Sequence, residues 1–185
     1  MYIQTEQTPN PATQKFLPGR TVLAHGTADF PNVEAAARSP LAQRLFGVAG
    51  VAGVFLGADF VTVTKAADAD WLGLKPLVLH ALMDHFVSGA AALEEADEAG
   101  QAVARSGDDD EIVAQIKELI ETRVRPAVAA DGGDITFQGF ENGVVYLNMR
   151  GSCSGCPSST LTLKTGIENM LRHYVPEVVE VRPVL

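Results

Sequence analysis

The sequence predicts an α/β protein of α+β layout: two small mixed domains, the second running α-β-β-α-β. Three observations lead there. Strand-like and helix-like apolar spacings occur on both sides of an Ala-, Glu- and Asp-rich stretch from Gly89 to Gly107. Each flanking half is under ~90 residues, near the low end of the usual domain size. The chain as a whole, 185 residues with 46% hydrophobic and 20% charged, has the balance of a globular protein. The expected division is residues 1–88, a helical tail and acidic linker over 89–107, and 108–185.

In the first half, Met1–Thr5 alternates weakly and reads as a strand, and Thr8-Pro9-Asn10-Pro11 forces a turn because each proline fixes φ and restricts its predecessor. Thr13–Leu17 is a second strand, stopped by Pro18-Gly19. Ser39 followed by Pro40 is an N-cap with proline at the first helical position, opening a short helix through Phe46. Val51–Leu56 and Phe60–Thr64 flank the glycine-containing loop Gly57-Ala58-Asp59 as a hairpin. Asp70 caps a helix whose Leu74, Leu77, Val78, Leu82 and Phe86 recur at helical spacing.

In the second half, Gly107-Asp108-Asp109-Asp110-Glu111 places negative charge at the start of a helix, where it complements the dipole. Ile112, Ile116, Leu119 and Ile120 give that helix its apolar face, and Pro126 is expected to kink it before Ala130. Asp131-Gly132-Gly133-Asp134 ends it with glycines suited to a left-handed cap. Ile135–Phe140 and Val144–Met149 are strands joined by Glu141-Asn142-Gly143, and Asn-Gly is a strong hairpin signal. A helix from Pro157 to about Tyr174 and a last strand over Glu177–Val181 complete the chain.

Charge and composition exclude several functions. The net charge is −9, with no basic stripe, so the electrostatic footprint of a nucleic-acid binder is missing. The longest uncharged stretch, Leu45 to Ala58, contains four glycines and is too short to span a bilayer, which takes ~20 apolar residues. The start, Met1 to Glu6, has neither a basic nor an apolar signal region, nor the Arg-rich character of an organelle presequence. A soluble, cytoplasmic protein is therefore expected.

The chemistry concentrates in Gly151-Ser152-Cys153-Ser154-Gly155-Cys156-Pro157-Ser158-Ser159, between a strand and a helix. Cys153 and Cys156 are the only two cysteines, too few for a disulfide framework and spaced for metal or redox work. Pro157 fits the first helical position, which leaves Cys156 at or beside the N-cap, where unpaired N–H groups favour thiolate. The glycines let the backbone bend, and the serines offer small side chains and hydrogen bonds to sulfur. The pair is expected to be exposed, so that replacing Cys153 by Ser should leave the fold intact. An iron–sulfur cluster or a structural zinc takes four ligands, and this chain offers two thiolates. Two copies about a two-fold axis would complete the set, which points to a metal or cluster shared between subunits.

Three stretches carry a resemblance. Arg125-Pro126-Ala127-Val128-Ala129-Ala130-Asp131-Gly132-Gly133-Asp134, the CxxC segment itself and Thr162-Leu163-Lys164-Thr165-Gly166-Ile167-Glu168 resemble the NifU C-terminal domain of the Nfu iron–sulfur proteins. Ile3-Gln4-Thr5-Glu6, Thr8-Pro9-Asn10-Pro11-Ala12-Thr13 and Lys15-Phe16-Leu17-Pro18-Gly19 resemble the N-terminal domain of mitochondrial and related bacterial Nfu proteins. The resemblance implies a scaffold or carrier, not an enzyme, with a 4Fe–4S cluster held between two subunits by Cys153 and Cys156 of each. It also implies a homodimer when cluster-bound, with apo iron–sulfur proteins and cluster-assembly scaffold proteins as partners.

The rival is a thioredoxin-like thiol–disulfide oxidoreductase, which also sets CxxC at a helix N-terminus. Against it, no Trp precedes Cys153, Ser-Gly separates the cysteines, and the motif is expected to follow a hairpin strand and not to open a βαβ unit. Zinc shared across a dimer and a purely structural pair are further readings. Asp131 and Asp134 are expected to bond backbone N–H groups around a tight turn. His80 and His85 fall on different helix faces in surface or packed roles, and His173 complements a helix end. Lys164 and Arg150 are surface charges, and Trp71 is an amphipathic anchor.

Overall fold

The structure, a computed structural model, describes residues 2–94, 110–153 and 157–184. The chain divides into two compact units, Met1–Glu98 and Ala99–Leu185.

The N-terminal unit is a five-stranded sheet backed by helices. Its elements are β1 (Gln4–Gln7), β2 (Thr13–Leu17), β3 (Ala28–Phe30), α1 (Pro40–Phe46), β4 (Val51–Leu56), β5 (Val61–Lys65) and α2 (Trp71–Ser88), with a single 3₁₀ turn at Ala35–Arg38 before α1. The sheet order is β1-β2-β5-β4-β3 and every neighbouring pair is antiparallel. Phe16, Val54, Leu56, Val61 and Val63 of the strands bury against Leu41 and Leu45 of α1 and Leu74, Val78 and Leu82 of α2. Ser39 caps α1 by accepting from the Ala42 N–H at 3.1 Å, and its own hydroxyl donates to the Ala92 carbonyl. Asp70 caps α2 through the Leu72 N–H.

Two expectations need revision here. The first strand lies over Gln4–Gln7, starting three residues and ending two residues later than the expected Met1–Thr5, because its register is set by pairing with β2, Gln4 opposite Leu17. Among the described residues no helical tail follows α2. Gly89 takes a left-handed φ of 70° and ends the helix, and the chain then straps back, the Glu94 N–H donating to the Arg38 carbonyl at 2.9 Å. The remainder of the expected linker, 95–107, lies outside the described residues. Of the helix faces, α2 is the unusual one: Leu72 and Val87 stand 86% and 78% exposed on the side away from the core.

The C-terminal unit comprises α3 (Asp110–Leu119), a π-helical turn over Ile120–Val124, α4 (Arg125–Ala130), β6 (Gly133–Glu141), β7 (Val144–Gly151), α5 (Pro157–Tyr174) and β8 (Glu180–Val184). The proline expected to kink the helix does so by a specific device. Pro126 has no N–H and its ring would strike the carbonyl four residues back, so the preceding turn widens and the Arg125 N–H bonds to the Ile120 carbonyl, five residues away. The hairpin turn has positive φ at both central residues, Asn142 at 51° and Gly143 at 79°, the twist that two-residue hairpins favour.

β8 corrects a sequence expectation. It pairs with β7 in parallel, Val145 opposite Val181, giving the sheet order β6-β7-β8. The CxxC segment therefore does open a βαβ unit, β7-α5-β8, as well as following a hairpin. The core holds Ile116, Ile120, Val124, Ile135, Val145, Leu147, Leu171 and Val181, with Cys153 among them.

Candidate functional site

Cys153 sits where β7 ends. Gly151, with φ of 67°, turns the chain out of the strand toward α5. The turn is tied to the opposite end of the hairpin: the Ser152 N–H donates to the Gly132 carbonyl at 3.3 Å, and its hydroxyl donates to the Asp131 carbonyl. From the far side, the Thr160 hydroxyl on the first turn of α5 donates to the Cys153 carbonyl at 3.1 Å. The open end of the hairpin and the start of α5 thus hold one cysteine between them.

That cysteine is not exposed, as the sequence had suggested. Cys153 is only 6% exposed and packs within the apolar core. Burial pushes its thiol up to about 11; a hydrogen bond from Ser152 opposes the shift, and the charges of Asp131 and Asp134 reinforce it. The expected thiolate is therefore a thiol in this conformation, because desolvation outweighs the local donors. The dipole argument applied to Cys156, which with Ser154 and Gly155 lies outside the described residues.

Gly133 makes room for this arrangement. A Cβ there would lie 2.5 Å from Cys153 Sγ and 2.8 Å from the Arg150 carbonyl oxygen. Beside it, buried Asp134 forms a bidentate pair with Arg125, Nε to Oδ1 at 2.8 Å and Nη2 to Oδ2 at 2.9 Å, and also accepts from the Ile135 N–H. Arg125 reaches Glu121 as well, and the bond to Asp134 raises its pKa above the ordinary value. Asp134 does bond a backbone N–H, as expected, but its main partner is this guanidinium, which pins α4 to the start of β6. Sequence reasoning missed Gly133, Arg125, Thr160 and the Ser152 tie; all lie in or beside the segments that carried the resemblance.

The other candidates are dispersed. His85 is wholly buried, with neither ring nitrogen bonded, while His80 is on the exposed face of the same helix. His173 lies 5.0 Å from the Tyr174 ring at the end of α5. Lys164 pairs with Glu180 at 3.6 Å, and Trp71 anchors α2 by donating to the Pro11 carbonyl at 3.2 Å. Among the described residues no set of three His, Cys, Asp or Glu side chains could hold a metal ion, and no helix is long and apolar enough to cross a membrane.

Comparison with known proteins matches both units. Residues 3–89 match the family described as scaffold protein Nfu/NifU N terminal, and residues 116–182 match the NifU-like domain. The human "NFU1 iron-sulfur cluster scaffold homolog, mitochondrial" is 52% identical over 186 residues, covering 100% of this chain and 72% of its own length. The chain belongs to the Nfu family of iron–sulfur cluster scaffold proteins.

Two further Nfu relatives agree. "NifU-like protein 4, mitochondrial" of Arabidopsis thaliana is 55% identical, over 96% of this chain and 64% of its own, and the NFU1 homologue of Drosophila erecta is 55% identical over 100% and 65%. The chain spans about two thirds of the length of these relatives. A solved NifU-like protein of Saccharomyces cerevisiae aligns with 52% of this chain and 87% of its own at 25% identity and a TM-score of 0.47, too low to add to the relationship. Nfu proteins are scaffolds, not a class of enzyme, and the family implies iron–sulfur cluster binding. The cytoplasmic placement is overturned: the human, plant and fly relatives are all named mitochondrial. A targeting segment is read by receptors and leaves no mark on the folded units, so residues Met1 to Glu6 carry no information on compartment.

Proposed function

We propose that this Nfu protein carries a 4Fe–4S cluster between two copies, each supplying Cys153 and Cys156, receives it from an assembly scaffold and delivers it to apo iron–sulfur proteins. The observation that carries this reading is the thiol count: two cysteines in the whole chain, three residues apart, within a family of cluster scaffolds. Four thiolates are the usual ligand set, so a second copy must supply the other half. Residues 108–185 act as the cluster-binding domain, 1–88 as an Nfu-type N-terminal domain for partner recognition, and 89–107 as the linker between them.

The buried thiol gives the carrier its reversibility. To bind iron, Cys153 must leave the core and lose its proton, so loading releases protons and costs apolar burial. When the cluster departs, the same thiol regains its place beside Gly133. The protein's own core thus competes with iron for the ligand, which suits cargo that has to be given up.

The dithiol oxidoreductase gains something from the βαβ topology, but an attacking cysteine needs a depressed pKa, and that of Cys153 is raised. Anaerobic reconstitution with ferrous iron and sulfide, read by visible absorption, Mössbauer spectroscopy and light scattering, separates the two. One 4Fe–4S cluster per dimer, transferable to an apo-protein that needs a 4Fe–4S cluster, is the expected result. Colourless protein that turns over insulin disulfides would replace this reading by the other.

A further inference from the structure

The last rung of the β6–β7 hairpin has no side chain on either strand. Gly133 of β6 stands opposite Gly151 of β7, whereas the next rung pairs Asp134 with Arg150. Gly151 is explained by its φ of 67°, which favours glycine. Gly133 has no such reason, because its φ lies outside the left-handed region. Glycine inside a strand weakens it, and its recurring use is to let another part of the chain come close. At Gly133 the question is therefore what comes close.

The nearest atom is the sulfur of Cys153. A Cβ on Gly133 would lie 2.5 Å from Sγ, 2.8 Å from the Arg150 carbonyl oxygen and 3.2 Å from the Cys153 backbone nitrogen. The thiol thus lies over the bare rung, in the space that any other residue at 133 would fill with its own side chain. Two sets of ties hold the turn down on this seat. Ser152 bonds the Gly132 and Asp131 carbonyls on the hairpin side, and the Thr160 hydroxyl donates to the carbonyl of Cys153 itself from α5. Seated there, Cys153 is 6% exposed and packed among core side chains, so its sulfur has no open side for an iron atom.

We infer that Gly133 is a positioning residue for the cargo: its missing side chain is the seat into which Cys153 withdraws, and the stability of that seat sets how readily a bound cluster is given up. The inference rests on the proposed role of Cys153 as a ligand and adds the residue that takes the thiol back. A seated sulfur and a liganded one are alternatives, so whatever favours the seat speeds release and whatever blocks it slows release. The outcome for a blocked seat runs against ordinary expectation. Gly133→Ala weakens the fold and tightens the hold on the cargo.

Two readouts on the full chain test this. The first needs no cluster: in a Cys156→Ser background Cys153 is the sole thiol, and its alkylation by iodoacetamide reports the unseated fraction. Gly133→Ala should react about tenfold faster than Val181→Ala, a core truncation on β8, with the two brought to equal stability by urea. Thr160→Val keeps the side-chain shape but removes the tie to the Cys153 carbonyl, and should react about threefold faster than the parent. The second readout restores Cys156, loads each variant anaerobically with ferrous iron and sulfide, and follows bleaching by a ferrous chelator. Gly133→Ala and Thr160→Val should bleach more slowly than the parent, by about tenfold and threefold. If Gly133→Ala does not fold, Thr160→Val decides by the same two readouts. Variants that bleach as fast as the parent or faster, or whose thiol is no more reactive than its comparison, overturn this inference alone. A parent that loads no cluster, or a Cys153→Ser variant that loads as the parent does, overturns the proposed function and this inference with it.

Discussion

The two units use their cores differently. The N-terminal unit has a five-stranded antiparallel sheet, and its largest fully buried side chains include Phe16, Phe30, Phe55, Leu41 and Leu45. The C-terminal unit has three strands, a π-turn in its first helix, a buried ion pair and a thiol packed among aliphatic side chains. One core is given over to holding a fold. The other includes the cysteine proposed above as a cluster ligand, set beside Gly133, the Arg125–Asp134 pair and the Ser152 tie. A reactive group built into a core is protected when idle, at the cost of a unit that is easier to damage.

That contrast can be broken most completely at the cysteines. Cys153→Ser and Cys156→Ser should each abolish cluster loading, seen as loss of visible absorption after reconstitution. Cys153→Ser should also destabilise the C-terminal unit by about 1–3 kcal/mol in urea unfolding, because a hydroxyl replaces a buried sulfur. Arg125→Ala comes next. It takes the guanidinium away from the buried Asp134 carboxylate and should cost roughly 3 kcal/mol in the C-terminal unit, with the N-terminal transition unmoved in calorimetry. Gly133→Ala forces a methyl group against Cys153 Sγ and the Arg150 carbonyl, and an overpacked site of this kind costs about 1–3 kcal/mol. In the other unit, Ser39→Ala removes the cap of α1 and the bond to Ala92 and should cost about 1 kcal/mol, read in the same experiment.

Smallest at neutral pH is the difference in titration. Burial, aided by the Arg44 guanidinium, lowers the pKa of His85 from 6.5, while the charge of Asp84 opposes this. The unfolded chain then binds the proton first, so the N-terminal unit should lose stability as pH falls from 6.5 toward the folded value. Cys153 behaves in the opposite sense. Its pKa rises from 9.0 to about 11, so the C-terminal unit keeps that contribution below pH 9 and loses it as pH climbs through 11. Urea midpoints for each unit across pH 5 to 11 should show one weakening in acid and the other in alkali; His85→Leu should flatten the acid limb. An acid limb unchanged by His85→Leu would mean that its ring has found a partner in solution.

What could be read from sequence was what neighbours in the chain decide. Ser39-Pro40 placed α1 at Pro40–Phe46, Asn142-Gly143 placed the hairpin turn, and Pro157 and Tyr174 bound α5 as expected. The features that escaped depend on distant partners. β3 is three residues long and exists because Ala28–Phe30 finds β4. The last strand lies three residues later than its valines suggested, since its bounds follow parallel pairing with β7, Val144 opposite Glu180. At the site, residue identity pointed to Cys153 while its surroundings stayed hidden. Exposure is set by what packs on top, and here that includes the Asp131–Gly133 turn at the start of β6 and the first turn of α5.

The parallel strand also bears on how the site comes into being. The β6–β7 hairpin closes through a two-residue turn, a step on the microsecond scale, whereas β8 must cross over the whole of α5 to reach β7. Long-range parallel pairing is intrinsically the slower event. Were the hairpin to close first, Cys153 would stand at its open end before α5 packs beside it. That order of events would open the thiol to reaction for a time, and a brief alkylation pulse during refolding should then mark Cys153 in molecules that the finished fold would shield.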